Sequence, residues 1–283
     1  METKEFVRKI LVPVDGSVSS LMAEETASLI AKKTRATVTV LQVMQELRLG
    51  SPLPRNVEEE LSGRIEQEAE KITNEARALF TEEGVTVDAK MTKRDNPADS
   101  ILELSNDYDL IVMGVHGESE KGPHTLGSVA KNVVRNVTRP TLIVKKVSDL
   151  SNMLVGIDGS EHSIKAFEYA VKLAGRMGSR ITLLNVQELR IHTVSPETAK
   201  EIGNQTLSKA LNAVEKGSLE VSKRLEFGVP SDVIAEFAEK EKHDLIVLGS
   251  RGLGAVRRFL LGSISDDVSL KAKCSVLIVP AKA

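Results

Sequence analysis

The chain has 283 residues, of which 41% are hydrophobic and 28% are charged, and this composition excludes a disordered protein. The formal net charge of -2 gives no reason to expect nucleic acid or an anionic membrane as a partner, and the single cysteine, Cys274, excludes an intrachain disulfide. No apolar run approaches the roughly 20 residues that span a bilayer, and no signal-type stretch begins the chain. We therefore expect a cytoplasmic protein without membrane insertion.

The first half alternates short apolar runs with helical patterns. Five strands are predicted at 9–14, 36–43, 85–91, 110–113 and 140–145. Helices are predicted at 20–33, 58–82, 97–106 and 128–137, with a loop rich in glycine and proline at 49–56. Short strands that alternate with helices indicate a parallel sheet covered on both faces.

The same pattern then restarts, which indicates a tandem repeat. The second half places strands at 153–157, 181–186, 219–227, 245–249 and 275–279, and its insert after the second strand is shorter. A short polar linker at 147–151 marks the boundary. We predict two α/β domains, residues 1–148 and 149–283.

Two motifs recur in both halves. An Asp-Gly-Ser turn follows the first strand, at Asp15 and at Asp158. A glycine loop follows the fourth strand, and in each copy two glycines three residues apart are followed, nine residues later, by Gly-Ser. Glycine lets the backbone approach an anion, and the amides at a helix N-terminus add donors and partial positive charge. The loop therefore predicts a site for the phosphates of a nucleotide.

Together these motifs are similar to those of the universal stress protein family, over nearly the whole chain and as two tandem copies. The resemblance implies a doubly wound, five-stranded parallel sheet of strand order 3-2-1-4-5 in each domain, the adenine nucleotide α-hydrolase-like fold. Strands one and four are then neighbours, and a crevice opens beyond their carboxyl ends, where both motifs lie.

The resemblance also implies roles for individual residues. The glycine loop would wrap the phosphates, the aspartate would accept hydrogen bonds from the ribose, and the end of strand two would contact adenine. In the second half these residues are Asp158, Val186, Gly249, Gly252, Gly262, Ser263 and Ile264. In the first half they are Asp15, Val43, Gly114, Gly117, Gly127, Ser128 and Val129. Ser263 and Asp266 read as a capping box of the last helix.

The two loops differ in charge. The second half has Arg251 before the nine-residue stretch and Arg257 and Arg258 within it, which offset phosphate charge. The first half has Glu118 and Glu120 there, with a Gly-Pro pair that changes the path of the loop. Lys131 also stands where the second half has Asp266. We therefore expect tighter ATP binding in the second half.

Simpler interpretations accompany each feature. The Asp-Gly-Ser turn is often only an N-cap, the glycines could serve packing, and Arg257 and Arg258 could lie on a solvated helix face. The five histidines lack metal-ligand spacing, and Cys274 is more often a core residue than a nucleophile. The charged helix at 58–82 is most simply a solvent-facing helix with i,i+4 pairs.

Three functions remain in competition. The first is an ATP-binding regulatory or protective protein of the stress response, with ADP or AMP as other possible ligands and Mg²⁺ as a companion of the phosphates. The second is a slow ATPase, slow because no clear base lies beside the loop. The third is a structural module with an empty cleft. The family's habit of pairing last strands implies that strands 141–145 and 275–279 pair within the chain. Homodimerisation and the protein partner stay open.

Overall fold

The computed structural model describes residues 6–45, 54–117, 126–136, 138–188, 195–252 and 261–281. In these ranges the chain alternates strands with helices in both halves. The strands are β1 Lys9–Val14, β2 Thr37–Met44, β3 Val87–Lys93, β4 Leu110–Gly114, β5 Thr141–Val144, β6 Asn152–Gly156, β7 Arg180–Gln187, β8 Val221–Phe227, β9 Leu245–Gly249 and β10 Ser275–Val279. The helices are α1 Val18–Thr34, α2 Arg55–Glu82, α3 Pro97–Ser105, α4 Ser128–Asn136, α5 Glu161–Met177, α6 Pro196–Ala213, α7 Pro230–Lys240 and α8 Ser263–Lys271.

All ten strands form one sheet, in the order β3-β2-β1-β4-β5-β10-β9-β6-β7-β8. Within each half the neighbouring strands are parallel, which confirms the predicted fold and its strand order 3-2-1-4-5. The two halves meet at β5 and β10, which pair antiparallel with Leu142 opposite Leu277. The predicted pairing of the last strands within the chain is therefore confirmed.

Alternation along the strands divides the buried residues into two layers that continue across both halves. One layer packs beneath α1, α2, α5 and α6, and it includes Ile10 and Val12 of β1. The other packs beneath α3, α4, α7 and α8, and it includes Leu11, which lies between Ile10 and Val12 in β1. Successive strand residues point to opposite faces, so an uninterrupted apolar strand supplies both layers.

Two predicted strands begin later than expected. Strand β3 starts at Val87 because a turn through Gly84, whose φ is +72°, follows α2, and the Val85 amide donates to the Phe80 carbonyl at 2.8 Å. Strand β8 starts at Val221 because the Leu219 amide closes a turn with the Lys216 carbonyl. Both residues that were predicted to begin strands serve instead to close the preceding segment.

The acid before each fourth strand holds the amino ends of the sheet together. The Asp109 carboxylate accepts from the amides of Arg8 and Lys9, at 2.9 and 3.0 Å. Asp244 accepts from the Asn152 amide in the same way, at 3.2 Å. These aspartates lie at the edge opposite the carboxyl ends of the strands, which leaves the carboxyl edge to Asp15 and Asp158.

Candidate functional site

A cavity opens at the carboxyl edge of the sheet in each half. The cavity of the second half measures about 400 Å³ and that of the first half about 340 Å³. Every predicted site residue of a half lines the cavity of that half. In the second half these are Asp158, Val186, Gly249, Gly252, Gly262, Ser263 and Ile264. In the first half they are Asp15, Val43, Gly114, Gly117, Gly127, Ser128 and Val129.

The aspartate and the glycine loop touch in both halves. A Cβ atom placed on Gly252 would lie 2.5 Å from Asp158 Oδ2, and one on Gly117 would lie 2.9 Å from Asp15 Oδ2. Real side-chain carbons do not approach an oxygen so closely, so only glycine fits at these positions without moving the carboxylate. The carboxylate and the loop backbone thus form one continuous wall of each cavity.

The serine of each Asp-Gly-Ser turn fixes that wall. Ser160 donates to Asp158 Oδ1 from its amide at 2.9 Å and from its hydroxyl at 2.6 Å. Its Oγ also caps α5 by accepting from the Ser163 amide at 3.2 Å. In the first half, the Ser17 amide donates to Asp15 Oδ1, and Ser17 Oγ accepts from the Ser20 amide. The capping interpretation of this turn is therefore correct, and it coexists with a place at the cavity.

The last helix of each half begins beside the glycine loop. The Gly262 amide donates to the Ser250 carbonyl at 2.7 Å, and the Gly127 amide donates to the Val115 carbonyl at 2.8 Å. These two amides are therefore committed to closing the loop and are not free for phosphate, contrary to the role predicted for them. The donors that remain for a phosphate in the second half are the first-turn amides of α8, which have no acceptors within their own helix.

The predicted capping box at the start of α8 is wrong. The N-cap of α8 is Gly262, without a side-chain hydrogen bond, and Ser263 is the first helical residue. Asp266 instead forms an ion pair with Arg135 of α4, whose Nε lies 3.3 Å from Asp266 Oδ1. The carboxylate thus joins the last helices of the two halves.

Packing alone explains one glycine of each loop. A Cβ atom on Gly249 would lie 2.6 Å from the backbone carbon of His162, and one on Gly114 would lie 2.6 Å from that of Ser19. Glycine lets the first turn of α5 or α1 lie directly on the end of the fourth strand. The packing interpretation therefore holds for Gly249 and Gly114, although both also line the cavities.

Arg251 supplies the positive charge in the described lining of the larger cavity. This residue lines the cavity, and its Nε is buried without a hydrogen-bond partner in the described part of the chain. Burial lowers the pKa of the nearby His162, and the positive charge of Arg251 lowers it further. Within the described lining, Asp158 is the only carboxylate, so the cavity joins one acid, one guanidinium and the amides of a helix start.

The smaller cavity has a different polar set. His116 occupies the position of Arg251, and its Nδ1 is likewise buried without a partner among the described residues. Ser20 lines this cavity and donates to the buried Glu24 at 2.8 Å. Burial is the main cause that raises the pKa of Glu24. The predicted contrast at Glu118, Glu120, Arg257 and Arg258 lies outside the described residues.

Apolar residues line the end of each cavity away from the glycine loop. Leu184, Pro230 and Ile234 lie beside Val186 in the second half. Leu41, Pro97 and Ile101 lie beside Val43 in the first. Sequence analysis missed these six residues. Strand alternation carried the signal for Leu184 and Leu41, since each is two residues before the predicted contact and shares its face.

Three further observations concern the described ranges. No helix there combines the length and the apolar composition that a membrane span needs. No group of three or more acidic, histidine or cysteine side chains is arranged there to hold a metal ion. Cys274 is buried, and burial raises the pKa of its thiol to about 11.

Comparison with known proteins identifies the two halves as related units. The chain matches the Universal stress protein family twice, over residues 7–145 and 150–280. A putative universal stress protein of Staphylococcus aureus (strain USA300) is 36% identical over 140 residues, which are 45% of this chain and 82% of that protein.

Solved structures agree along the whole chain. A universal stress protein from Archaeoglobus fulgidus has a TM-score of 0.77 at 24% identity, and the alignment covers 96% of this chain and 98% of that one. A putative universal stress protein from Pseudomonas aeruginosa has a TM-score of 0.68 at 18% identity, over 98% and 94% of the two chains. At these identities the likeness shows the fold alone. Because the family matches both halves, the chain belongs to the universal stress protein family, with two copies of the family's domain in tandem.

Proposed function

We propose that each half binds an adenosine polyphosphate at its carboxyl-edge cavity, that ATP is the preferred ligand, and that the protein acts in the stress response as a regulatory or protective protein that depends on the nucleotide. The observation that carries this proposal is the contact between Asp158 and the Gly252 backbone at the rim of the larger cavity. A carboxylate that can accept from ribose hydroxyls and a helix start that can donate to phosphate both line this cavity.

The shape of the larger cavity supports an adenine nucleotide. Its apolar end, formed by Leu184, Val186 and Ile234, suits a flat base, while its polar end suits phosphates. About 400 Å³ falls in the range of small-molecule sites. A companion Mg²⁺ would be held chiefly by phosphate oxygens, as is common for this ion.

The second half is proposed to bind more tightly. Arg251 brings a permanent positive charge to its cavity, whereas His116 brings an imidazole to the other. The first half also has the buried Glu24 behind its cavity, hydrogen-bonded to Ser20. Both differences favour a polyphosphate in the second half.

Calorimetric titration of the intact chain with ATP tests these statements. We expect two sites in the wild type, loss of the tighter one in Asp158→Ala and loss of the weaker one in Asp15→Ala. Two unchanged sites in Asp158→Ala would refute the proposed ribose contact, and loss of the tighter site in Asp15→Ala would reverse the assignment of the halves. Mass spectrometry of the small molecule released on denaturation identifies the resident nucleotide.

Slow hydrolysis is a second candidate activity. Asp158 is the only carboxylate in the described lining of the larger cavity, and it already accepts two hydrogen bonds from Ser160. A base for an attacking water is therefore not evident, and we expect turnover no faster than that of a Ser263→Ala variant. Sustained turnover well above that control would favour the enzyme.

A further inference from the structure

A third cavity, of about 310 Å³, lies in the second half at the amino ends of β6, β7 and β8. It is therefore at the opposite edge of the sheet from the nucleotide cavity. Its volume is close to the 340 Å³ of the first-half nucleotide cavity. Nothing in the proposed nucleotide function uses it.

Strand register builds the floor of this cavity. Ile181 pairs with Val221, so Arg180 begins β7 beside Glu220 on the neighbouring strand, and Thr182 lies opposite Ser222. The Ser222 hydroxyl donates to Thr182 Oγ1 at 3.1 Å. Two residues further along β8, on the same face, is Arg224. The floor is thus a pair of hydroxyls with a guanidinium at each end.

The end of α7 forms the wall. The Asn152 side chain donates to the carbonyls of Glu241 and Lys242, at 3.4 and 3.3 Å, and so holds the helix end beside the cavity. His243 follows, stacked on Phe237 with ring centroids 5.7 Å apart. His243 is only 4% exposed, and its Nδ1 has no hydrogen-bond partner among the described residues. Buried polar atoms are normally paired, so this nitrogen marks an incomplete site.

The first half lacks this arrangement. Tyr108 stands at the position of His243, since each residue precedes the aspartate that clamps the amino ends of the sheet. Lys90 takes the place of Arg224 and lies 6.0 Å from the centre of the Tyr108 ring. Thr37 takes the place of Arg180. A larger ring and fewer charges therefore occupy the corresponding position, so the cavity reflects the second-half sequence and is not imposed by the fold.

The charges around the cavity are balanced. Arg180 and Arg224 contribute two positive charges, and Glu220 and Glu241 contribute two negative ones. None of these four residues forms an ion pair with another described residue. Burial lowers the pKa of His243 and so favours its neutral form. A ligand of one sign would meet repulsion from one pair, whereas a ligand with both charges satisfies each pair.

We propose that this cavity binds a small zwitterion of the α-amino-acid type. Its carboxylate lies between a guanidinium and the hydroxyls of Thr182 and Ser222, and its ammonium faces the glutamates. Arginine suits the first role because its fork of donors matches a carboxylate. The cavity volume of about 310 Å³ is large enough for a single amino acid.

Nuclear magnetic resonance of the intact chain tests this proposal. The protein is first saturated with ATP, so that the nucleotide cavities are filled, and is then titrated with each standard L-amino acid, with acetate and with methylamine. We expect at least one amino acid to shift the His243 imidazole signals saturably below about 10 mM, while acetate and methylamine do not. No saturable shift with any amino acid, or an equal shift with acetate, would overturn the proposal.

Two variants locate the binding. Arg180→Thr copies the first-half residue at an exposed position, and we expect it to weaken the amino acid at least about tenfold without changing ATP affinity. His243→Tyr copies Tyr108 and should abolish binding by filling the cavity. Lys90→Gln, in the first half, is the matched control and should change nothing. Because Arg180 is on the surface, unchanged affinity in Arg180→Thr would contradict the proposal even where His243→Tyr fails to fold.

Discussion

Gly252 has no space for a side chain, because its Cβ atom would lie only 2.5 Å from Asp158 Oδ2. The carboxylate cannot move freely, since Ser160 donates to it twice. A side chain at position 252 would therefore displace the carboxylate that we propose to contact the ribose. The glycine matters for its lack of a Cβ atom more than for any unusual backbone angle.

Gly252→Ala is predicted to weaken ATP binding in the second half about tenfold or more. The new methyl group must displace a carboxylate whose charge-assisted hydrogen bonds contribute about 1.5–3 kcal/mol each. Titration calorimetry of the intact chain measures the change. Gly175→Ala is the control, because a Cβ on this glycine of α5 meets nothing within 4 Å. Equal losses of affinity in both variants would show that the effect is not local.

For individual residues, the sequence predicted the polar and glycine lining of the cavities, but it did not predict most of their apolar lining or every residue's role. The spacing of motifs revealed Asp158 and the glycines, because repeated spacing survives without coordinates. The use of the Gly262 amide in closing the loop depends on a contact with Ser250, and no local pattern encodes it. That same contact makes Gly262 the N-cap and moves Ser263 into α8, which is why the capping box was wrong.

Three helices begin with a serine whose side chain caps the first turn. Ser17, Ser160 and Ser195 accept from the amides of Ser20, Ser163 and Thr198, respectively. Ser160 has a second task, since it also donates to Asp158. Ser195 opens α6, and the described residues that line the nucleotide cavity of the second half do not include it. A comparison of Ser160 with Ser195 therefore separates the effect of helix capping from the effect of the hydrogen bonds to Asp158.

Ser160→Ala and Ser195→Ala are each predicted to lower the free energy of unfolding by about 1 kcal/mol, the usual effect of losing a serine cap. Only Ser160→Ala should also weaken ATP binding in the second half, because only Ser160 orients Asp158. Chemical denaturation gives the stability, and calorimetry gives the affinity. Weakened binding in Ser195→Ala would indicate that general loosening, and not the turn, is responsible.

Helix and strand types were predictable because their periodicity is strong, while some boundaries were not. Helix α2 has the expected i,i+4 pairs, Arg55–Glu59 and Arg64–Glu60. The start of β3 depended on how the chain leaves α2 through Gly84, and a hydrophobic pattern cannot report a hydrogen bond from Val85. Element boundaries that depend on such hydrogen bonds cannot be predicted from the hydrophobic pattern alone.

The Arg135–Asp266 ion pair links the last helices of the two halves, and the repeat supplies no second, equivalent ion pair. Asp266 lies in the first turn of α8, which begins at the proposed phosphate site. The corresponding positions in the first and second halves are Lys131 and Leu270, so no equivalent pair can form across the joint. A residue of the first half thus neutralises a negative charge near the phosphate site proposed for the second half.

Arg135→Gln is predicted to weaken ATP binding in the second half about threefold, consistent with the modest energy of a partly exposed ion pair. Adding Asp266→Asn should restore the affinity, because the unneutralised carboxylate is then removed. Lys273→Gln breaks the ion pair with Glu239 and serves as the control. If the double variant stays as weak as Arg135→Gln, charge near the phosphates is not the cause.

The arrangement of the whole molecule was predictable in part. The repeat and the resemblance to the family predicted the strand order of each half and the pairing of β5 with β10, which joins the two halves into one sheet. The third cavity and the cross-half ion pair were not predictable, since each depends on which side chains meet after the chain folds, within the second half for the cavity and between the halves for the ion pair. Lys145 is a further example. Its amine, from the residue after β5, donates to the Leu270 carbonyl of α8 at 3.2 Å.

Burial lowers the pKa of Lys145 to about 8, and this gives the joint between the halves a pH dependence. Between pH 8 and the ordinary lysine pKa of 10.5, the unfolded chain keeps the proton that the folded chain has released. Stability contributed by Lys145 therefore rises with pH in this window, by at most about 1.4 kcal/mol per pH unit.

Cys274 has the opposite effect on stability. Burial raises the pKa of its thiol to about 11, so above pH 9 the unfolded chain loses the thiol proton while the folded chain keeps it, and stability falls with pH. The contribution of Lys145 must therefore be isolated as the difference between the wild type and Lys145→Met, measured by chemical denaturation at pH 7.5, 8.5 and 9.5. We expect the stability of the wild type relative to the variant to grow across this series. A difference that is flat or falls with pH would mean that Lys145 keeps its proton in the folded protein, and that its hydrogen bond to the Leu270 carbonyl stabilises the charged form.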